Sequence, residues 1–377
     1  MKQTAGFIST YAADVSGVCS ALFELGGMTV MHDASGCNST YNTHDEPRWY
    51  DTDSLVFLSA LTEMEALLGD DEKLVRDVTE AARAFSPRFV AIAGTPIPML
   101  TGTDLAAAAR EVEARTGIPS FGIPTNGMHT YVAGAGAALD AIARRFPDPS
   151  ARPEPGARRV NLLGATPLDF SVGGTVEAVR AWLAREGWEV VSCWAMGDTL
   201  DALSRAGTAN VNLVLSYAGI PAARTLARRF GTPWVAGVPV GTAFARTLAD
   251  ALERTAAGER TGVPYAVPCE GAPAVVIGES VYAGSVAAAV TAETGVPCRV
   301  LCATETEKGF LAPGSVRATD EDELIPALAG AKAVIADPLY RPIVPDGAKC
   351  YPLPSEGFSG RLYRREIPNL IDRKLMN

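Results

Sequence analysis

The sequence has no G-x-x-x-x-G-K-[ST] loop, and no G-x-G-x-x-G turn follows any of its strand-like runs. The first absence removes the backbone cradle with which a chain binds ATP itself. The second removes the close approach of backbone to a dinucleotide pyrophosphate. No apolar run comes near the ~20 residues that cross a bilayer; runs such as AVVIG and VNLVL are far shorter. Basic residues are in deficit, 33 Lys and Arg against 43 Asp and Glu, for a net charge of −10. Charge-driven wrapping of nucleic acid or anionic lipid is thereby excluded, and neither is expected as a partner. The opening MKQTAGFISTYAADVSG lacks an apolar core with a cleavage site, so no signal peptide and a cytoplasmic location are expected. Histidine is scarce, with three in 377 residues, and cysteine is odd in number at seven. In a long cytosolic chain such cysteines are expected to be thiols or metal ligands rather than disulfides.

What is present is a repeated alternation. Short apolar runs (RFVAIAG at 88–94, RRVNLLG at 158–164, VNLVLSYAG, PAVVIG at 273–278, PCRVLCA, KAVIADP) alternate with amphipathic helical patterns such as TVEAVRAWLAREG and PAARTLARRFG. Strands of four to six apolar residues, each followed by a helix, predict an α/β fold of parallel sheets with helices on both faces. The chain is too long for one simple core. The Pro-rich stretch FPDPSARPEPGARR (146–159) reads as a linker, and TAAGERTGVP (255–264) as a softer boundary. Three Rossmann-like units are expected: 1–150, 151–258 and 259–377, the last with a short tail. They share a pattern but no sequence repeat.

The glycine-rich turns GATPLDFSVGGT (164–175) and GESVYAGS (278–285) lack nucleotide-binding spacing and read as structural. Cys193, Cys298, Cys302 and Cys350 fall in strand-like runs, and Cys269 in a loop. Cys298 and Cys302 are four apart and share a strand face, which suits either a metal pair or two core thiols. The N-terminal stretches differ. Cys19 in VSGVCSAL and Cys37 in MHDASGCNST sit among serine and glycine, and all three histidines (His32, His44, His129) lie in the first 130 residues. Thiolates in such turns, with backbone N–H groups free to bond sulfur, suit an iron–sulfur cluster. Buried core thiols are the alternative, because two cysteines do not complete a four-ligand site.

Several segments in order resemble the nitrogenase component 1 type oxidoreductases. GVCSAL followed by HDASGCN resembles the family's first two cluster-cysteine segments. DSLVFLSALTEMEALLGDDEKL (53–74) resembles its next turn and helix. NLVLSYAGIPAARTLARRFGTPWVAGVPVG (212–241) resembles its second-domain strand, helix and Pro-Trp sequence, and YPLPSEGF (351–358) its closing segment. The resemblance implies a three-domain Rossmann-like subunit that works as a dimer, with itself or a paralogue. Electrons would come from a nitrogenase-reductase-like ATPase and go to a small-molecule substrate.

Two departures sharpen what the resemblance implies. The family's third cluster cysteine follows the strand RFVAIAG, where this chain has Thr95 and Pro96. Two subunits with Cys19 and Cys37 each would then supply four thiolates, enough for one [4Fe–4S] cluster at their interface. The nickel-sirohydrochlorin reductive cyclase resembles this arrangement. The cysteine that holds the iron–molybdenum cofactor would fall at Ser216, and serine is a poor iron ligand beside thiolate. Neither that cofactor nor dinitrogen reduction is expected. The expected reaction is reduction of a tetrapyrrole or similar unsaturated substrate. His32, Asp33, His44 and His129 are the candidate proton donors. Loop hydrogen bonding is the alternative for His32 and His44, and a turn or cluster-ligand role for Asp33. A non-catalytic scaffold for a cluster or cofactor precursor is the alternative function. A periplasmic-type binding protein is the third reading, which the absent signal peptide disfavours.

Overall fold

The computed structural model describes residues 12–36, 41, 46–260 and 262–375. Its strands form three sheets, and every pairing between these strands is parallel. The first sheet holds β1 (Met28–His32), β2 (Leu55–Leu58), β3 (Val90–Gly94) and β4 (Ser120–Ile123) in the order β2-β1-β3-β4. The second holds β5 (Arg159–Leu163), β6 (Glu189–Cys193), β7 (Val211–Val214) and β8 (Trp234–Ala236) in the order β6-β5-β7-β8. The third holds β9 (Ala274–Gly278), β10 (Cys298–Cys302), β11 (Val316–Arg317), β12 (Ala333–Ala336) and β13 (Lys349–Pro352) in the order β11-β10-β9-β12-β13. The α/β fold with three parallel sheets is the one expected. The sequence reading overlooked β1, β2 and the helix Tyr131–Arg145. β1 carries a threonine and a histidine among its five residues, which blurs an apolar run. β2 has four residues, too few to stand out from its surroundings.

Side-chain alternation builds the layers. On one face of the first sheet Met28, Val30, Val90 and Ile92 meet Leu74, Val75 and Val78 of the helix Glu72–Phe85 and Ala108 and Val112 of the helix Leu105–Thr116. Met31, Ala91 and Ala93 point the other way, into a larger core that runs on through the second and third sheets. This is the two-residue period of a strand covered on both faces.

The helix Tyr131–Arg145 joins the first two units. It packs against the helix Asp14–Leu22 on one side and the helix Ile220–Phe230 on the other. The first contact is backbone to backbone. A Cβ at Gly17 would stand 2.0 Å from the Tyr131 carbonyl oxygen, and one at Gly134 would stand 1.8 Å from that of Asp14. Only glycine fits at these two positions.

The second sheet contains a polar ladder. Asn161 on β5 donates from Nδ2 to Asn212 Oδ1 on β7 (2.8 Å) and to the Ala206 carbonyl (3.0 Å). Its Oδ1 accepts from Ser192 Oγ on β6 (2.7 Å), which in turn accepts from Trp194 Nε1 (2.8 Å). All four residues are fully buried. A satisfied buried network of this kind fixes register, because a slip by one residue would strand each polar group.

Candidate functional site

In a sheet whose strands run outward from a central pair, ligands bind at the carboxyl ends of that pair. The strand orders place these points between β1 and β3, between β5 and β7, and between β9 and β12. The first two are closed in the same way. Thr95, just past β3, donates from Oγ1 to the His32 carbonyl at the end of β1 (3.0 Å). Ser216, past β7, donates from Oγ to the Gly164 carbonyl past β5 (2.6 Å). Both hydroxyls are buried, and each bridges the two strand ends. At the third point Glu279, next after β9, is fully buried and accepts from the N–H groups of Val281 and Tyr282 (3.1 and 3.0 Å) at the start of the helix Ser280–Thr294. Its carboxylate also accepts the Tyr217 N–H of the second unit (2.9 Å). Burial pushes the Glu279 carboxyl up to about 7, helped by the charge of Asp169 and opposed by the surrounding N–H groups.

The carboxyl ends of the three sheets face a shared junction. The loop after β10 carries two carboxylates that reach different units. Glu305 accepts from the Thr130 N–H (2.9 Å) and hydroxyl of the first unit. Glu307 takes a bidentate pair from Arg224 (2.6 and 2.7 Å) and the Tyr217 hydroxyl (3.0 Å) of the second. Between them, Thr306 donates to Ser280 Oγ (3.0 Å). Sequence reasoning missed Glu279, Glu305 and Glu307. For Glu279 the signal was an acidic residue set between a strand-ending glycine and a helix.

The candidate residues from the sequence are spread over this end of the molecule. His32 ends β1, is buried, and pairs through Nδ1 with Ser59 Oγ (2.8 Å). Burial holds its basicity below the ordinary imidazole value. Asp33 is buried and accepts its neighbour's N–H from Ala34 (2.8 Å), as a turn residue does. His129 is exposed, with Nδ1 3.6 Å from Glu305 Oε1. Its carbonyl accepts the Asp14 N–H (3.0 Å). His32 and Asp33 are thus neighbours at the first sheet's end, while His129 faces the three-unit junction. His44 and Cys37 lie outside the described residues.

Cys19 lies in the helix Asp14–Leu22, every residue of which is buried, and is itself 0 % exposed. Burial and the nearby Glu46 carboxylate push its thiol far above its ordinary value. Among the described residues, no set of three or more His, Cys, Asp or Glu side chains is placed to hold a metal ion. Cys19 is the one proposed cluster cysteine among the described residues, since Cys37 lies outside them. Cys298 and Cys302 are core thiols of β10, both raised to about 12 by burial.

Three parallel sheets, with hydrogen bonds between the loops past their carboxyl ends, define an α/β protein of the three-unit Rossmann-like class. The nitrogenase component 1 type oxidoreductase model matches residues 16–298, and the chain belongs to that family. It is 28 % identical over 215 residues to the nitrogenase iron-molybdenum cofactor biosynthesis protein NifE of Klebsiella pneumoniae, covering 54 % of this chain and 46 % of that one. It is 28 % identical over 251 residues to one of the subunits of the light-independent protochlorophyllide reductase of a Methylobacterium strain, covering 60 % and 48 %. The nitrogenase molybdenum-iron protein alpha chain of Methanosarcina barkeri is 23 % identical over 185 residues, covering 48 % and 34 %. The matches thus span about half or less of each curated relative. A solved structure of nitrogenase Cp1 at pH 6.5 superposes with a TM-score of 0.64 over 93 % of this chain and 88 % of that one, at 15 % identity. That likeness shows the fold. No helix among the described residues is long and apolar enough to cross a membrane.

Proposed function

We propose that the chain is the substrate-reducing subunit of a nitrogenase-like oxidoreductase, fed by a separate ATP-driven iron–sulfur reductase and active on an unsaturated small molecule other than dinitrogen, with a tetrapyrrole as the concrete form. The observation that carries the departure from dinitrogen chemistry is Ser216. Its hydroxyl stands where the resemblance puts the cofactor cysteine, and it is committed to the Gly164 carbonyl (2.6 Å). The absence of a phosphate-binding loop in the sequence supports a separate ATPase.

A dimer, with itself or a paralogue, belongs to the same reading. The short helices Glu63–Leu68 and Pro96–Thr101 lie against each other at the carboxyl end of the first sheet. They expose Met64, Leu67, Leu68, Met99 and Leu100. Apolar side chains gathered in this way suit an interface between subunits. An iron–sulfur cluster shared across that interface would draw on Cys37, five residues after the end of β1 in the sequence. The cluster would supply one-electron transfer when bound. Of this chain's own groups, His129, exposed beside Glu305, is the better placed to pass a proton to a substrate at the junction. His32 is enclosed and bonded to Ser59.

Relatives named for cofactor biosynthesis support a second reading, a scaffold that carries a cluster or cofactor precursor. An apolar cavity of about 180 Å³ lies between the helix Thr242–Ala256 and the helix Ser280–Thr294, lined by Phe244, Tyr265, Phe310 and Leu311. It is smaller than the ~300–1,000 Å³ of ordinary ligand pockets, whereas a cleft of about 450 Å³ beyond β3, lined by Gly94, Pro98, Met99, Thr125 and Asn126, lies within that range. The two readings separate in an anaerobic assay with the reductase partner and ATP. A reductase subunit oxidises dithionite continuously in the presence of substrate. A scaffold takes up a cofactor once and turns nothing over.

A further inference from the structure

We propose that Cys269 and Cys298 of the third unit form a paired-thiol site that small-molecule disulfides oxidise to an intramolecular disulfide. The pair takes no part in the proposed electron transfer and stands apart from any cluster.

Both residues line the cavity of about 180 Å³ that also carries Phe244, Tyr265 and Phe310. Cys298 opens β10, and Val300, two residues on, lines the same cavity, as the two-residue period of a strand requires. Ser315 links the two chain segments. Its Oγ accepts the Val300 N–H (2.9 Å) and lies 3.5 Å from Cys269 Sγ. The thiols are near enough to sense each other's charge: burial, and after it Cys269, push the Cys298 thiol up to about 12.

The other cysteines of this unit do not compete. Cys302, at the far end of β10, is not part of the cavity wall and turns its Sγ to the Thr304 carbonyl (3.5 Å). Cys350 lies on β13, which β9 and β12 separate from β10.

The two thiols differ in how firmly they are held. Cys298 is fixed by its pairing with Ala274 on β9, and its N–H bonds to Thr291 Oγ1 (3.1 Å). Cys269 lies in the loop before β9, outside any helix or strand. Its N–H and Sγ both bond to the Pro313 carbonyl (2.9 and 3.3 Å). Around it Val267 and Glu270 are exposed, and Gly271 takes a φ of +68°. Joining the sulfurs therefore needs a shift of this loop and none of the sheet.

The chemistry is thiol–disulfide exchange. Cys269, the loop thiol, attacks one sulfur of the small disulfide as a thiolate and releases one small thiol. Cys298 then loses its proton, attacks Cys269 Sγ and releases the second. The two cysteines give up two electrons and two protons, and the small disulfide gains both. The high position of the Cys298 thiol makes the second step slow. The closed link ties the loop to β10 around the helix Ser280–Thr294, whose first turn holds Glu279 against the second unit.

The test uses the full chain, purified without oxygen with reductant, desalted, and held for several hours with oxidised glutathione at pH 8. Free thiols are then blocked with iodoacetamide and the chain is cut after glutamate without reduction. Cleavage after Glu270, Glu279 and Glu293 leaves Cys269 and Cys298 on separate peptides. The wild type and Cys302→Ser should yield these two peptides cross-linked, and dithiothreitol should part them. Cys298→Ser should stop at a glutathione adduct on Cys269, and Cys269→Ser should yield no link. A wild type that stops at the same adduct, that links Cys298 to Cys302, or that keeps both thiols free for iodoacetamide would overturn the proposal. The wild-type peptide map decides this whether or not the variants fold.

Discussion

Ser216 Oγ donates a 2.6 Å hydrogen bond to the carbonyl of Gly164, joining the carboxyl ends of β7 and β5. Thr95 Oγ1 makes the equivalent bond to the His32 carbonyl at the ends of β3 and β1. Two buried hydroxyls thus occupy the positions at which the family resemblance places cysteines, and both are used to close a sheet.

Ser216→Ala removes the donor and leaves the Gly164 carbonyl unpaired in a buried place. The cost should be about 1–3 kcal/mol, read as a lower denaturation midpoint with an unchanged slope. Ser216→Cys fits the same space, but its weaker donor should recover only part of the loss. A midpoint for Ser216→Ala equal to the wild type's would show that the bond does not matter to the fold.

Gly134→Ala should disrupt the first unit. The added Cβ would stand 1.8 Å from the Asp14 carbonyl oxygen, and backbone cannot yield as a side-chain tip does. The expected loss is on the order of 3 kcal/mol or more, visible as insoluble expression or a melt shifted by many degrees. Gly231→Ala is a control of another kind: the site is open, but its φ of +72° strains any other residue, so the loss should be about 1 kcal/mol.

Asn161→Leu should destabilise the second sheet more than its gain in hydrophobicity would suggest. It leaves Ser192 Oγ without its acceptor, and it removes the donor to Asn212 Oδ1 and to the Ala206 carbonyl. The cost should reach about 2–4 kcal/mol. In a double-mutant cycle with Asn212→Leu, strong coupling is expected, because the two side chains bond directly.

Glu279 sets a pH dependence whose sign can be worked out. Its carboxyl is raised from the ordinary 4.5 to about 7, so the folded chain holds a proton that the unfolded chain has lost. Stability from this group is therefore full below the unfolded value and falls as pH rises from about 4.5 through 7, by roughly 3 kcal/mol in all. Unfolding free energy measured from pH 5 to 8 should decline over that window in the wild type. In Glu279→Gln the decline should be absent, with a lower stability at pH 5 because the amide cannot accept from all of the surrounding donors. A parallel decline in both proteins would assign the effect to another group.

The legible part of the fold was the part made of ordinary apolar runs. AVVIG became β9 and VNLV became β7 because branched residues dominate them and glycine or proline bounds them. Asn161 and Asn212 did not hide their strands, since the neighbouring residues carry the pattern. β2 and the helix Tyr131–Arg145 were lost for opposite reasons. One has four residues, and the other is so rich in alanine and glycine that its faces look alike until Gly134 is seen against Asp14. At the site, His32 and Asp33 were legible as candidate polar groups but not as the end of a strand, because the threonine and histidine of β1 blur its apolar run. Around Cys19 the sequence did not show that Gly17 is a helix-crossing point and Ser20 a partner of Glu46. The carboxylates Glu279, Glu305 and Glu307 act between units, and no local spacing marks such contacts.

The central claim is that this chain accepts electrons from an ATP-driven partner. The direct measurement is made without oxygen, by mixing the iron-reconstituted protein with a nitrogenase-reductase-like ATPase, dithionite and MgATP, and following the chain's iron–sulfur signal by electron paramagnetic resonance. The account predicts a change that requires both the partner and ATP and that is lost in Cys37→Ala. An ATP-dependent change with no partner present, or a reconstituted chain with no iron–sulfur signal at all, would contradict it.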